Sequence, residues 1–263
     1  MNIVVCVKHV PDATADRHFE DDHTVDRVGV DGLLSELDEY AVEQALQVKE
    51  ASDNPDSVEV SVLTMGPEGA SDAIRKALQM GADKGFHVLD DAIAGSDAPA
   101  SSLVLAEAIK KIPHDLVVCG MASTDGGMSV LPAMLAERLD VPQVTFASQI
   151  DVQGDTVTIK RDGDTATQTV QGTLPLVLSV TDQSGEARYP SFKGIMAAKK
   201  KPVETWSLAD LGVEAEKVGL SAAWTAVEGT EPRPPRSKGE VVADEDGSGA
   251  TALVEFLASK KFI

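Results

Sequence analysis

The sequence predicts an α/β fold: a doubly wound, mostly parallel sheet with added antiparallel strands and an extended C-terminal arm. Three observations predict it. Between Asn2 and Leu139, short β-branched apolar runs alternate four times with segments of helical periodicity. Strands that are apolar throughout must be covered on both faces, which marks parallel pairing with crossover helices. From Gln143 the chain turns to brief runs separated by Gly154–Asp155 and Gly163–Asp164, the turn chemistry of antiparallel strands. Beyond Pro202 the chain is polar and weakly periodic, with a Pro-rich linker at 228–240.

The first run, NIVVCVKHV (Asn2–Val10), has the length and type of a buried strand. Ser35–Ala51 spaces Leu37, Ala41, Ala45, Leu46 and Val48 as a helix does, and Ser35 with Asp38 makes a capping-box-like start. Ser57–Gly66 is a second strand, closed by Gly66–Pro67, and residues 68–83 form a helix that Gly81 stops. Gly85–Asp90 is a third strand, Ser101–Ile112 a helix, Asp115–Gly120 a fourth strand and Val130–Leu139 the next helix. The runs QVTFASQIDV, TVTIKR, TATQTVQG and LPLVLSVT follow, as an antiparallel set or an extension of the sheet edge. GATALVEFLASKKF ends the chain as an amphipathic helix with Leu253, Phe256 and Leu257 on one face. On its long tether it reads equally as an arm for a partner subunit or as a helix packed on its own domain.

The 263 residues, 43% of them hydrophobic, suffice for one large domain, alone or with a small appendage. Acids outnumber Lys and Arg by 43 to 23, for a formal charge of −20. Such a field repels nucleic acid and anionic lipid. The acids are dispersed, as suits a protein kept soluble at high salt, so a halophilic source is expected. Cys6 and Cys119 form no CxxC and no framework of pairs, and MNIVVCVKHV lacks the charged and apolar regions of a signal peptide. A reducing cytoplasm is the expectation. No apolar run approaches the ~20 residues of a membrane helix.

No GxSxG elbow, Walker motif or HExxH occurs. His18 and His23 lie among Asp16, Glu20, Asp21 and Asp22, but no spacing fits a known metal cage, so a solvated acidic loop and no metal are expected. His9, His87 and His114 are scattered and take no role. The two cysteines read as small buried hydrophobes, with Cys6 placed to line a pocket from a strand end.

In a sheet of this kind ligands sit beyond the carboxyl ends of the strands, so the loops after Val10, Met65 and Gly120 are the ones to inspect. CGMASTDGGMSVLPAML (Cys119–Leu135) is the best local signal. It follows a strand and opens into a helix. Gly120, Gly126 and Gly127 let backbone N–H groups approach an anion, and the helix N-terminus adds partial positive charge. Ser123, Thr124 and Ser129 can donate further hydrogen bonds. This design binds phosphate without lysine; a plain βα turn is the other reading. Asp125 would repel phosphate, so it is expected to cap a turn or helix, or to meet a ribose hydroxyl. Later, GEARYPSFKGIMAAKKKP (Gly185–Pro202) is a basic island, with five bases against one acid between Glu186 and Lys201. Lys199–Lys201 suit a helix C-terminus. Tyr189 and Phe192 beside a proline suit an interface anchor.

Together these segments resemble the β subunit of electron transfer flavoproteins over nearly the whole chain. VCVKHVPD is similar to that family's first strand and turn, DEYAVEQALQVKE to its first helix and VSVLTMGP to its second strand. ALQMGADKG is similar to the helix end that follows, and DLVVCG with LAERLDVPQVTFAS to the flanks of its nucleotide loop. RYPSFKGIMAAKKKP is the most specific segment, similar to R-Y-P-S-L-K-G-I-M-K-A-K-K-K.

The resemblance implies a Rossmann-like, adenine-nucleotide-binding domain at 1–200, with a recognition loop at 185–200. Residues 201–263 are then a C-terminal arm packing on the partner subunit. It implies an electron carrier without substrate turnover of its own. In that αβ heterodimer the α subunit holds most of a redox FAD and the β subunit a structural AMP. Electrons arrive from acyl-CoA and related dehydrogenases, as in fatty acid oxidation, and leave to a membrane quinone oxidoreductase. Cys6, Asp38, Met65 and the loop Gly120, Met121, Ala122, Ser123, Thr124, Asp125, Gly126, Gly127, Met128, Ser129, Val130 and Leu131 match AMP-contacting positions. Asp162 matches an acidic position near the flavin side of the subunit interface. Arg188, Tyr189, Phe192, Ile195 and Met196 match the loop that docks on dehydrogenases, with Phe192 where the family usually has its Leu anchor.

The chain departs from the family at Ser35-Glu36-Leu37-Asp38, where Asn-Pro-Phe/Tyr-Asp is frequent, and at DGGMSVLP, where many members carry D-G-D-T-x-Q-V-G. An electron-bifurcating subset uses that Thr/Gln-bearing loop for a second FAD, so the resemblance implies AMP, or a weakened site, over a second flavin, with a bifurcating subunit as one alternative. A stand-alone adenine-nucleotide-binding regulatory module is the alternative from another class.

Overall fold

The structure, a computed structural model, describes residues 1–15, 18–231, 234–235, 238–239, 241–244 and 247–263. Asp16 of the acidic loop and part of the Pro-rich linker at 228–240 lie outside the described residues. The chain forms two compact units, Met1–Glu228 and Gly229–Ile263.

The first apolar run divides. β1 (Asn2–Cys6) enters the main sheet, whereas β2 (His9–Pro11) turns away and pairs antiparallel with β3 (Gly32–Leu34). At the division the Lys8 N–H donates to the Asp38 carboxylate at 2.8 Å. That bond also removes the expected capping box: Asp38 faces Lys8, and Ser35 makes no side-chain cap on α1 (Glu36–Ala51). The alternation then runs β4 (Glu59–Met65), α2 (Ser71–Met80), β5 (Lys84–Val88), α3 (Ala98–Lys111), β6 (Leu116–Gly120) and α4 (Leu131–Leu139). Gly81 ends α2 at φ 147°, a conformation that favours glycine. α3 begins a turn earlier than its apolar periodicity suggests, because Asp97 accepts the Ala100 N–H and Pro99 fits the first turn.

After α4 come β7 (Gln143–Gln153), β8 (Thr156–Asp162), β9 (Thr167–Thr173), β10 (Leu176–Val180), α5 (Phe192–Ala198), β11 (Val203–Trp206) and α6 (Leu208–Leu211). Among the described residues the main sheet has nine strands in the order β11-β5-β4-β1-β6-β10-β7-β8-β9. The strands from β11 to β7 are parallel, and β7, β8 and β9 form an antiparallel extension. The run LPLVLSVT therefore belongs to neither an antiparallel set nor an edge. β10 lies inside the parallel sheet with all five residues buried; its four apolar residues suit that position, and Ser179 accepts the Phe146 N–H. β11 has no apolar signature and was not expected. It is an edge strand, held by Trp206 stacked on Phe86 at 4.7 Å between ring centroids. The boundary expected between Lys200 and Lys201 thus precedes a strand of the sheet, and the first unit continues to Glu228.

Successive residues of β1 point to opposite faces. Ile3 and Val5 pack with α1 and α2, while Val4 and Cys6 pack with α3 and α4. Lys201 donates to the carbonyls of Leu78 and Ala82 at the C-terminal end of α2 rather than serving the end of α5. Within the second unit, α7 (Gly249–Ser259) buries none of its residues. No described helix is long and apolar enough to cross a membrane.

Candidate functional site

β1 pairs with β4 on one side and β6 on the other, so the chain changes direction across the sheet at β1. At the carboxyl ends of these three strands lies a cavity of about 360 Å³. This is the switch-point crevice where open α/β sheets bind ligands. Cys6, Met65 and Gly120 line it from the strand ends, and Asp38 from the head of α1. Met121, Ala122, Ser123, Gly126, Met128, Ser129, Val130 and Leu131 line it from the loop into α4. Thr124, Asp125 and Gly127 belong to the same loop but do not line the cavity. Ser129 holds φ 58°, a strained value for a non-glycine residue, at the turn before α4.

Gly120 is at a close approach. A Cβ there would lie 2.6 Å from Asp38 Oδ1 and 2.8 Å from the Leu37 carbonyl oxygen, so only glycine lets β6 end against the head of α1. Asp38 is buried beneath it, and burial pushes its carboxyl up to about 7 against the opposing hydrogen bond from the Lys8 N–H. Cys6 and Cys119 are register partners on β1 and β6. A hydrogen bond with Cys6 and burial push the Cys119 thiol up, which keeps it an inert thiol.

Asp125 is the centre of an ion cluster. Its buried carboxylate accepts from Lys8 Nζ at 2.9 Å, from the Arg27 guanidinium and from the Gly126 N–H at 2.7 Å. Although burial opposes ionisation, Lys8 and Arg27 hold the carboxyl far below its usual range. Beside the lysine-free loop, Lys8 and Arg27 both line the cavity. Arg27 comes from a loop rich in acids, and no motif marks it. The rim at Ile93, Gly95–Ala98 and Ser101, together with Leu105 beneath it, was equally silent in the sequence. Among the described residues no group of three His, Cys, Asp or Glu side chains could hold a metal ion, and Asp22 is engaged with Thr24.

The basic segment is divided in space. Arg188 donates from Nε to Glu43 at 2.7 Å, from Nη2 to Glu43 at 3.0 Å and from both Nη atoms to Glu50, while its backbone N–H also meets Glu43. Its guanidinium is thereby bound to α1 while its side chain stays 32% exposed. Tyr189 and Phe192 are 92% and 81% exposed, with Ile195 and Met196 partly exposed beside them on α5. Gly194 allows α5 to lie against α2, where a Cβ would collide with the Gln79 carbonyl. Asp162 ends β8 on the antiparallel extension, accepts from Thr167 Oγ1 at 2.6 Å and is exposed.

Residues 22–211 match the family model described as the electron transfer flavoprotein domain. Relatives named electron transfer flavoprotein subunit beta, from Mycobacterium bovis and Mycobacterium leprae, are each 45% identical over 266 residues, covering 100% of this chain and 99% of theirs. A relative of the same name from Megasphaera elsdenii is 32% identical over 273 residues, with both chains fully covered. Likeness of that depth, running the whole length of a chain with this sheet and this crevice, has one meaning: the chain belongs to the electron transfer flavoprotein family, among its β subunits.

Proposed function

We propose that the chain is the β subunit of a heterodimeric electron carrier. In this reading it relays electrons from acyl-CoA-type dehydrogenases, as in fatty acid oxidation, to a membrane quinone oxidoreductase. The carrying observation is the 45% identity to named β subunits along the entire chain. The switch-point cavity is the site of AMP, held for structural reasons. At about 360 Å³ it is near the small end of ligand pockets, which suits one nucleotide better than a dinucleotide. Met65, Ile93 and Leu105 offer apolar surface to a purine, and the loop into α4 offers N–H groups to a phosphate.

FAD belongs mainly to the α subunit, and when bound it supplies the redox chemistry. This chain's part is to position: Asp162 stands toward the flavin side of the interface, and the second unit is the arm on the α subunit. Tyr189, Phe192, Ile195 and Met196 dock on the dehydrogenase, while Arg188 holds that segment to α1. The chain turns over no substrate itself. The cytoplasm of a salt-adapted cell agrees with the −20 charge and the two thiols.

Co-expression with an α subunit tests this. A yellow 1:1 complex is expected, bleached by an acyl-CoA in the presence of its dehydrogenase and releasing one AMP and one FAD. A stable complex without flavin overturns the reading. Two FAD per complex move it to the bifurcating type.

A further inference from the structure

We propose that Lys8 and Arg27, set on the buried Asp125, are the phosphate-reading cations of the switch-point cavity, so that the pocket selects a phosphorylated nucleotide over its nucleoside. The inference rests on reading the cavity as a nucleotide pocket.

The arrangement inverts the usual ion pair of an acidic surface. Here the acid is the hidden member: the Asp125 side chain is 2% exposed, whereas those of Lys8 and Arg27 are 43% and 33% exposed and line the cavity. Burying a lone carboxylate is costly, so a carboxylate in this position demands cationic partners. One carboxylate meets two cations, so these three side chains keep one positive charge in excess, although Asp38 and Asp97 also line the cavity. Lys8 and Arg27 are the cationic groups of that lining that an anionic ligand would meet.

Donors remain for such a ligand. A lysine ammonium has three and an arginine guanidinium five. Lys8 Nζ gives one bond to Asp125, and Arg27 bonds Asp125 and, at 3.4 Å, the His9 carbonyl. Both side chains are also held in place. Lys8 is pinned at its backbone by Asp38 and at its ammonium by Asp125, and Arg27 is pinned by Asp125 and His9. Preorganised donors bind an anion at a lower entropic cost. The cluster lies against the loop into α4: a Cβ on Gly126 would be 4.0 Å from Lys8 Nζ, and α4 opens a few residues later, so its N-terminal N–H groups and the two cations could serve one anion together. Asp125 remains ionised at any physiological pH, so the cations do not drift from it as pH changes.

The test compares AMP with adenosine by calorimetry on heterodimer freed of nucleotide by dialysis. The wild-type protein should bind AMP at least about tenfold more tightly, a difference of ~1.4 kcal/mol. Arg27→Gln should lose about tenfold in AMP affinity while adenosine affinity stays within twofold or so, and Arg27→Lys should recover part of the loss. Lys8→Gln would leave the buried carboxylate with Arg27 as its one cation, so the second variant is Lys8→Gln with Asp125→Asn, which removes one charge of each sign. It too should lose AMP selectivity. If both variants keep the wild-type ratio of AMP to adenosine affinity, this inference fails while the nucleotide pocket stands. If the wild type binds neither ligand, the pocket reading fails and takes the inference with it.

Discussion

Asp38 meets several demands at one point. It is buried at the head of α1, accepts the Lys8 N–H and leaves room for nothing larger than glycine at position 120. Because burial raises its carboxyl from 3.8 to about 7, the folded protein binds that proton more tightly than the unfolded chain does. The resulting stability is fully present below the unfolded value and is lost as pH rises toward 7. Asp38→Asn stays neutral throughout. Between about pH 4 and about pH 8 the wild type should therefore lose on the order of 2–4 kcal/mol relative to the variant. Thermal melts across that range check it, and parallel curves would show that the carboxyl is ionised throughout. His9, which burial lowers, acts in the opposite sense but is common to both proteins. The legible part of this residue's role was its place beside the loop. Its burial and its bond to Lys8 needed the fold, since they depend on how β1 ends.

At the scale of elements, α5 has only seven residues and cannot persist alone. It is held by Arg188 on Glu43 and Glu50 and by its close fit to α2. Arg188→Ala would leave the Glu43 carboxylate, 6% exposed, without its cation. A loss of about 2 kcal/mol is expected, with faster amide exchange over Phe192–Ala198; unchanged exchange would show that α5 is held by other contacts. Asp97 joins two further elements. It caps α3 and also accepts from the Trp224 N–H at 2.7 Å and the Thr225 N–H at 3.2 Å, so the chain beyond α6 is tied to the cavity rim. Asp97→Ala should cost about 1–2 kcal/mol through the lost cap and should admit protease near Trp224. Resistance equal to the wild type would mean the tie is redundant.

For the whole molecule, the docking surface proposed above is the exposed Phe192 on a clamped segment. Phe192→Ala should slow electron transfer from a dehydrogenase about tenfold, as loss of an interface anchor does. The ratio of flavin to protein should not change. Stopped-flow rates and the flavin absorbance check both halves, and equal rates would remove the anchor role. The basic island that looked like one feature is three: an internal clamp at Arg188, a cap on α2 at Lys201 and an exposed apolar face between them.

The sequence by itself determined the alternation of strands and helices, the doubly wound class and the Gly-rich loop after β6, because periodicity, glycine placement and apolar runs are local properties of the chain. It also marked the segment around Phe192, since an aromatic beside lysines has no place in a core. Only the tertiary structure decided that β10 enters the sheet between β6 and β7, that β11 closes its edge and that Lys8 and Arg27 meet Asp125. Strand order is set by crossovers that bury both faces, and an ion cluster by which distant loops those crossovers bring together. Neither leaves a periodic trace in the residues that take part.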